Sequence, residues 1–533
     1  MQPFKAAMLR VREAFYAALI RSLLRTKSLI QTILTIWASP KKNSSEVEAH
    51  AKDSAADDDV SEHSEIRDGP DVKGARKIED FLDEVESLFR HPTRRRNLEA
   101  FSEGLKNQFQ ESLRENPQCM LPSYQHQLPT GDECGTYLAL DVGGSTFRVA
   151  LIELAGGKKK PTILRRSTTK IDLAVKSLQG VTFFDWMAER IDETLSGLKE
   201  GHEKESAPLS MGMAWSFPIE QTSLRSGLLQ NMGKNFMAAH GILGDDLGDL
   251  IQGACTRRNL NVSLEAIVND SSACLLSSAF TSRDLPTRLS LILGTGVNAA
   301  VHLPVASFSA QKFGVRPSSW HSVAEHVIVN TELSMFGAEF LPFTRWDKQL
   351  LAKHPRPNFQ PIEHFVGGGY LGEIVRLVLI EAIETTGFLG GVIPSSLLEP
   401  YSLDTEIISR ISFDTSPSQD KSIKLFNTHF PIQSYTYTKI DITHLRTIST
   451  LVTDRATSII AGGLHALWML QNSSPTKKTL IAYNGSVIEQ YPGFRETTQK
   501  NLDLLVGAEG ILELVPADDS SLLGAAVAVA CLE

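Results

Sequence analysis

Apolar and polar positions alternate most sharply over Leu138–Leu154, LALDVGGSTFRVALIEL. Leu138, Leu140 and Val142 bracket Asp141, and Phe147, Val149 and Leu151 resume the period of two after Gly143-Gly144. This predicts a buried strand, a tight turn and a second strand. From Lys77 to about Glu115 the spacing changes: Phe81, Val85, Phe89, then Leu98, Phe101, Leu105 and Phe109 recur at helical steps, which predicts helices. Pro117–Gly135 is turn-rich, and AIVN before SSACLLSSAF reads as a strand leading into a helix around Asp270.

Two N-terminal stretches lack a core pattern. Residues 1–42 carry eight Lys/Arg against one acid, Glu13, with Phe15, Tyr16, Leu19, Leu23, Ile30, Ile33 and Trp37 interleaved. Arg21, Arg25 and Lys27 interrupt any run of the roughly 20 apolar residues that would span a bilayer. A basic, acid-poor segment of this kind suits mitochondrial targeting or a helix on an anionic membrane. A helix packed on the protein's own body fits the composition as well. Residues 43–75 hold ten acids and almost no large apolar side chains, the composition of an acidic disordered linker.

With 533 residues the chain has room for two or three domains. Lys+Arg 53 against Asp+Glu 62 gives no basic signature for nucleic acid. Five cysteines without CxxC spacing fit buried thiols in a reducing, cytoplasmic compartment better than a disulfide framework or a zinc site.

The chemistry begins at the glycine turn. Gly143 and Gly144 permit positive φ and close approach of backbone N–H groups to an anion. Asp141 at its mouth could then hold a hydrated Mg²⁺ beside a polyphosphate. An ordinary Gly-Gly hairpin fits these residues equally well, and no Gly-Lys-Ser/Thr follows to make a Walker A loop. Asp270, between strand and helix, suits either a general base kept ionised by the helix N-terminus or a plain N-cap.

LALDVGGSTFRV resembles the first phosphate motif of the hexokinase family. It is followed in order by similar segments: MGMAWSFPIEQTSLRSGLLQNMGKNF, AIVNDSSACLLSSAF, LILGTGVNAAV, VNTELSMFG, GGGYLGEIVRLVL, NGSVIEQYPGF and a degraded DDSSLLGAAVAVA. The resemblance covers roughly 76–533. It implies an α/β, actin-like (ribonuclease-H-like) fold with a cleft between two lobes of similar topology. The expected divisions are a basic segment 1–42, a linker 43–75, a helical part of the large lobe 76–129, a small lobe 130–268, the large lobe 269–519 and a C-terminal helix 520–533 returning to the small lobe.

The resemblance also assigns roles. Asp270 becomes the catalytic base, and Lys234 contacts sugar and supports the transition state. Ser216, Phe217, Asn269, Asn298, Glu332 and Glu373 complete the sugar ligands, carboxylates and amides being suited to hydroxyls that both donate and accept. The nucleotide side falls to Asp141, Gly143, Gly144, Ser145, Thr146, Arg148, Gly294, Thr295, Gly296, Asn484, Gly485, Ser486, Ser521 and Gly524, with Asp141 as indirect ligand to Mg²⁺. The implied cofactors are ATP and Mg²⁺.

Departures from the family pattern qualify this. Gly233 replaces a threonine, losing a sugar hydrogen bond worth roughly 0.5–1.5 kcal/mol. Leu333-Ser334 replaces Trp-Gly, which alters packing behind Glu332, and the run Gly367-Gly368-Gly369 is expected to loosen Glu373. Ser145, Thr146 and Asn484 change the phosphate side. Ser520 and Leu522 replace two glycines, and Leu522 is expected to crowd the adenosine by roughly 1–3 kcal/mol.

The expected function is ATP-dependent phosphorylation of a hexose such as glucose at its 6-hydroxyl, with atypical or reduced activity. The alternative is a weak or silent sugar-sensing regulator that reports to an unidentified protein partner. Such a divergent, fungal, regulatory member would be cytoplasmic and held at the mitochondrial surface through residues 1–42. A kinase for N-acetylated hexoses fits less well, because SFPIEQTSL is typical of hexokinases.

Overall fold

The computed structural model describes residues 76–157, 159–196, 207–232, 236–282, 285–471 and 477–532. The expected targeting segment and linker, residues 1–75, lie outside these. A five-stranded sheet runs in spatial order Thr162–Lys170, Thr146–Ala155, Cys134–Val142, Leu209–Trp215 and Val262–Val268. A six-stranded sheet runs Leu121–Pro122, His326–Asn330, Val297–Pro304, Thr287–Leu293, Thr479–Asn484 and Leu512–Pro516.

The last five strands of the second sheet repeat the first in order and sense. In each, two antiparallel pairings are followed by two parallel ones. The strand–turn–strand around Asp141 therefore corresponds topologically to the one around Gly294. Both sheets are mixed, and their parallel strands need helical crossovers.

Each sheet has its own apolar core. The smaller joins Leu138, Leu140, Met213 and Trp215 to Phe183, Phe184 and Met187 of the Val181–Leu195 helix. The larger gathers Phe81, Val85, Phe89 and Phe109 against the long Lys439–Met469 helix and the Gly368–Thr386 helix. The helical periodicity of residues 77–115 resolves into helices Ile78–Arg90 and Arg95–Ser112.

A third core joins the lobes. Ala139 and Ala214 of one sheet and Ala300 and Ile328 of the other enclose helices Asp270–Thr281 and Ser520–Ala530. These helices touch backbone to backbone: a Cβ on Gly524 would lie 2.0 Å from the Ala273 carbonyl oxygen. Gly212, on the small sheet, faces Ala525 with a corresponding distance of 2.1 Å. Small residues are needed wherever these elements cross.

The 138–154 hairpin forms as its alternation predicts, but its glycines act differently. Neither Gly143 nor Gly144 has a positive φ. The turn closes through Gly143 N–H donating to Thr146 O at 3.0 Å, so it does not draw on the left-handed freedom of glycine.

Candidate active site

Asp270 opens the interlobe helix, but the capping role belongs to its neighbour. Asn269 is the N-cap, its Oδ1 accepting from Ser271 N at 2.9 Å and from Ser271 Oγ at 2.6 Å. Asp270 Oδ1 also accepts from Ser271 N, at 2.8 Å, and the residue is half-buried at the helix start. The N-cap alternative for Asp270 is thereby removed.

A polar chain continues from Asn269 across the large sheet. Asn298 Nδ2 donates to Asn330 Oδ1 at 2.8 Å and reaches Asn269 Oδ1 at 3.4 Å. Asn330 Nδ2 donates in turn to Glu332 Oε1 at 2.8 Å. Glu332 has left-handed backbone (φ 53°, ψ 48°), a strained conformation for a non-glycine residue that clusters at functional sites. Burial pushes its carboxyl above the usual range; the Asn330 bond opposes this, while the charges of Asp270 and Glu363 add to it. Asn330 was not singled out from the sequence, although it stands two residues before Glu332 in VNTE.

Two expected sugar ligands, Phe217 and Glu373, stand apart from this chain. Lys234 lies outside the described residues. The Phe217 ring is only 6% exposed and packs on Trp215 and Phe236 in the small-lobe core, so its side chain is not available to sugar, although adjacent Ser216 remains half-buried where its strand ends. Glu373 is buried and paired with Arg376 through two bonds of 2.6 Å, and it also accepts Tyr401 N–H at 2.6 Å. Three of about four acceptor positions on its carboxylate are thus used.

The glycines before Glu373 do not loosen it. Gly368 N–H donates to Gly294 O at 2.8 Å and Gly369 N–H to Thr295 O at 3.1 Å. A Cβ on Gly367 would stand 2.8 Å from Thr295 O, and one on Gly368 2.9 Å from Gly294 O. The run lets the Gly294-Thr295-Gly296 loop dock directly on the helix that carries Glu373.

That loop is tight. Gly294 N–H bonds Gly296 O at 3.0 Å, while the N–H groups of Thr295 and Gly296 have no acceptor among the described residues. Gly485 (φ 126°) packs so close that a Cβ would meet Leu293 O at 2.4 Å, and it leads into the short Ser486–Gln490 helix. Asn484 Nδ2 bonds Ala517 O at 3.0 Å. Beside Thr295 and Ser486 opens a cavity of about 1000 Å³, walled also by Thr405, Arg410, Thr415, Ser416, Lys421 and Leu425. The N–H and hydroxyl groups of Ser416 and Ser422 all donate to Asp414 and hold its carboxyl below the usual range. Thr295 and Ser486 were expected on the nucleotide side, whereas Thr405, Arg410, Thr415, Ser416, Lys421 and Leu425 carry no motif and did not stand out in the sequence.

On the facing hairpin, Asp141 is buried and Arg148 donates to it through Nε at 2.6 Å. Burial pushes the Asp141 carboxyl up; Arg148 and the Ser521 hydroxyl oppose this, and the charge of Asp270 adds to it. Arg148 is also 3.7 Å from Asp519, which Arg166 holds at 2.8 Å.

Two family models described as Hexokinase match residues 82–280 and 288–531. Hexokinase-1 of Saccharomyces cerevisiae is 30% identical over 421 residues, covering 78% of this chain and 84% of that one. The chain belongs to the hexokinase family. Hexokinase-5 of Oryza sativa is 28% identical over 488 residues, 87% of this chain and 92% of that one. A hexokinase from Schistosoma mansoni complexed with glucose superposes with TM-score 0.71 at 25% identity, covering 86% of this chain and all of that one.

The largest correction for this hexokinase concerns its C-terminal motif. Leu522 is fully buried in the interlobe core with Ala139, Ala150 and Leu275. Neither it nor Ser520 lines the cavity beside the phosphate loop. Both lie inside the regular Ser520–Ala530 helix, and the positive φ falls on Asp519 (φ 47°). Gly524 lies where the helices cross, its place set by close contact with Ala273, and Ser521 is tied to the phosphate side through Asp141.

Among the described residues no three acids, histidines or cysteines cluster to hold a metal. A single buried carboxylate, Asp141, fits Mg²⁺ that arrives on nucleotide phosphates and keeps most of its waters.

Glu332→Gln keeps the acceptor for Asn330 and removes a charge that burial disfavours. A raised carboxyl contributes stability fully below its unfolded value, near 4.3, and loses it as pH rises through the folded value. The variant should therefore melt above the parent at pH 7, with the difference fading by about pH 4. Glucose affinity should fall about tenfold or more, as for a lost charged hydrogen bond. A lower melting temperature at pH 7 would contradict this assignment.

Proposed function

We propose that this hexokinase-family protein transfers the γ-phosphoryl group of ATP to the 6-hydroxyl of glucose or a similar hexose, with Asp270 as base. The observation that carries the reading is the position of Asp270. Its helix start meets the Asn269–Asn298–Asn330–Glu332 chain, and its charge is felt by both Glu332 and Asp141.

In this mechanism the amides and Glu332 orient the sugar by accepting from and donating to its hydroxyls. The Asp270 carboxylate takes the hydroxyl proton as the oxygen–phosphorus bond forms and the bond to the departing ADP breaks. The open N–H groups of Thr295 and Gly296 meet phosphate oxygens, and the cavity beside Thr295 takes the nucleoside. Asp141 would hold, through water, the Mg²⁺ that arrives with the nucleotide, and the ion would supply charge neutralisation there. Lys234 adds positive charge from the small lobe, as the family resemblance implies, and lobe closure excludes water. The alternative of a silent regulator draws on the changed nucleotide side and the N-terminal segment; the burial of Leu522 away from the cavity supports the phosphotransfer reading over it.

Asp270→Asn should abolish glucose 6-phosphate formation, followed by ³¹P NMR, while the glucose dissociation constant changes by less than about threefold, since one acceptor oxygen is retained. Wild-type rates in this variant would exclude Asp270 as base.

We further propose that residues 1–42 hold the protein at the mitochondrial surface, on the strength of their eight basic residues against one acid. A fluorescent fusion of residues 1–42 should decorate mitochondria; a diffuse signal would remove the targeting role.

A further inference from the structure

Glu363 lies in the six-residue Pro361–Val366 helix just before the glycine run. Its Oε2 accepts Val297 N–H, the first backbone donor after the phosphate loop, at 3.1 Å. The approach is so close that a Cβ on Gly296 would stand 2.3 Å from that same oxygen. The main chain of Glu363 also takes part: its carbonyl accepts Gly367 N–H at 2.8 Å. This turn places Gly368 and Gly369 against the carbonyls of Gly294 and Thr295. The segment 363–369 therefore grips the loop on three consecutive faces: the Gly294 carbonyl, the Thr295 carbonyl and the Val297 amide.

A carboxylate beside a loop that meets anionic phosphates carries an electrostatic cost, and Glu332 registers the same charge. Its retention calls for a positive reason. A charged acceptor makes a stronger bond to a backbone N–H than a neutral one does. It fixes the loop without a side chain that would occupy phosphate space.

We propose that Glu363 is a positioning residue that sets the Gly294-Thr295-Gly296 loop against the start of the Glu373 helix, making the phosphate and sugar halves of the large lobe one unit. This rests on the reading of that loop as the phosphate site.

The test is a double-mutant cycle on the full chain with Mg-AMPPNP titrated calorimetrically, so that binding is read without turnover. Glu363→Ala should weaken the nucleotide about tenfold, and Glu363→Gln, which keeps an acceptor, should restore most of it. Melting temperature and glucose affinity should stay near the parent's. Gly296→Ala should weaken the nucleotide to a similar extent, about tenfold, because its methyl pushes the Glu363 carboxylate away from Val297 N–H. In the Glu363→Ala background the same methyl has room, so Gly296→Ala should add less than about threefold. Strict additivity of the two changes would overturn the proposal. So would a Glu363→Ala protein that melts early yet binds nucleotide as the parent does. The phosphotransfer reading is tested separately by product formation in the parent, and a parent that binds Mg-AMPPNP without turnover would sink that reading while leaving the cycle decisive for Glu363.

Discussion

Gly524 lies so close to Ala273 that a methyl there would stand 2.0 Å from a carbonyl oxygen, and Gly212 meets Ala525 in the same way. These contacts wedge the C-terminal helix between the small sheet and the helix that begins at Asp270. The rest of the cleft follows from that wedge. Because the Asp270 helix is held on one side by the C-terminal helix and on the other by the large sheet, its first turn points at one place, where Asn269 caps it and Asp270 faces both half-sites. Ser521, on the same C-terminal helix, steadies Asp141 of the small-lobe hairpin. A single packing constraint thus sets base, sugar chain and phosphate hairpin relative to one another.

The polar side has its own logic. The charge of Asp270 raises the cost of ionising both Asp141 and Glu332, and that of Glu363 adds to the cost at Glu332, while Arg148, paired with Asp141, opposes it there. A cleft of this kind gains from ligands that bring donors or positive charge. A polyhydroxyl sugar and a nucleotide carrying a divalent cation supply both. The hydrogen-bonded chain from Asn269 to Glu332 keeps the amides oriented.

Much of this was legible in the chain, and the failures have a common cause. Period-two alternation marked the 138–154 hairpin, and the three- and four-residue spacing marked helices 78–90 and 95–112, because burial of one face leaves a periodic trace. The repeated sheet topology left none, since strand order is set by pairing and not by residue identity. Glycines were misread because a sequence does not say which property of glycine is used. At Gly143 and Gly144 positive φ was expected and is absent; at Gly367 and Gly368 looseness was expected where close backbone approach requires them. Leu522 was placed in the nucleotide pocket because a leucine for a glycine signals crowding, but the helix turns that side chain into the apolar space between the sheets. Glu332 was found from its motif, whereas the bonds from Asn330 to Asn298 and from Glu363 to Val297 join residues distant in sequence.

Leu522 resides in the interlobe helix, facing the apolar space between the sheets and not the nucleotide pocket. The direct measurement is denaturant unfolding of Leu522→Gly together with calorimetric titration of Mg-ATP. Loss of a fully buried leucine and insertion of a helical glycine should lower stability by at least about 3 kcal/mol, with no gain in nucleotide affinity. A variant as stable as its parent that binds Mg-ATP tenfold more tightly would contradict the account.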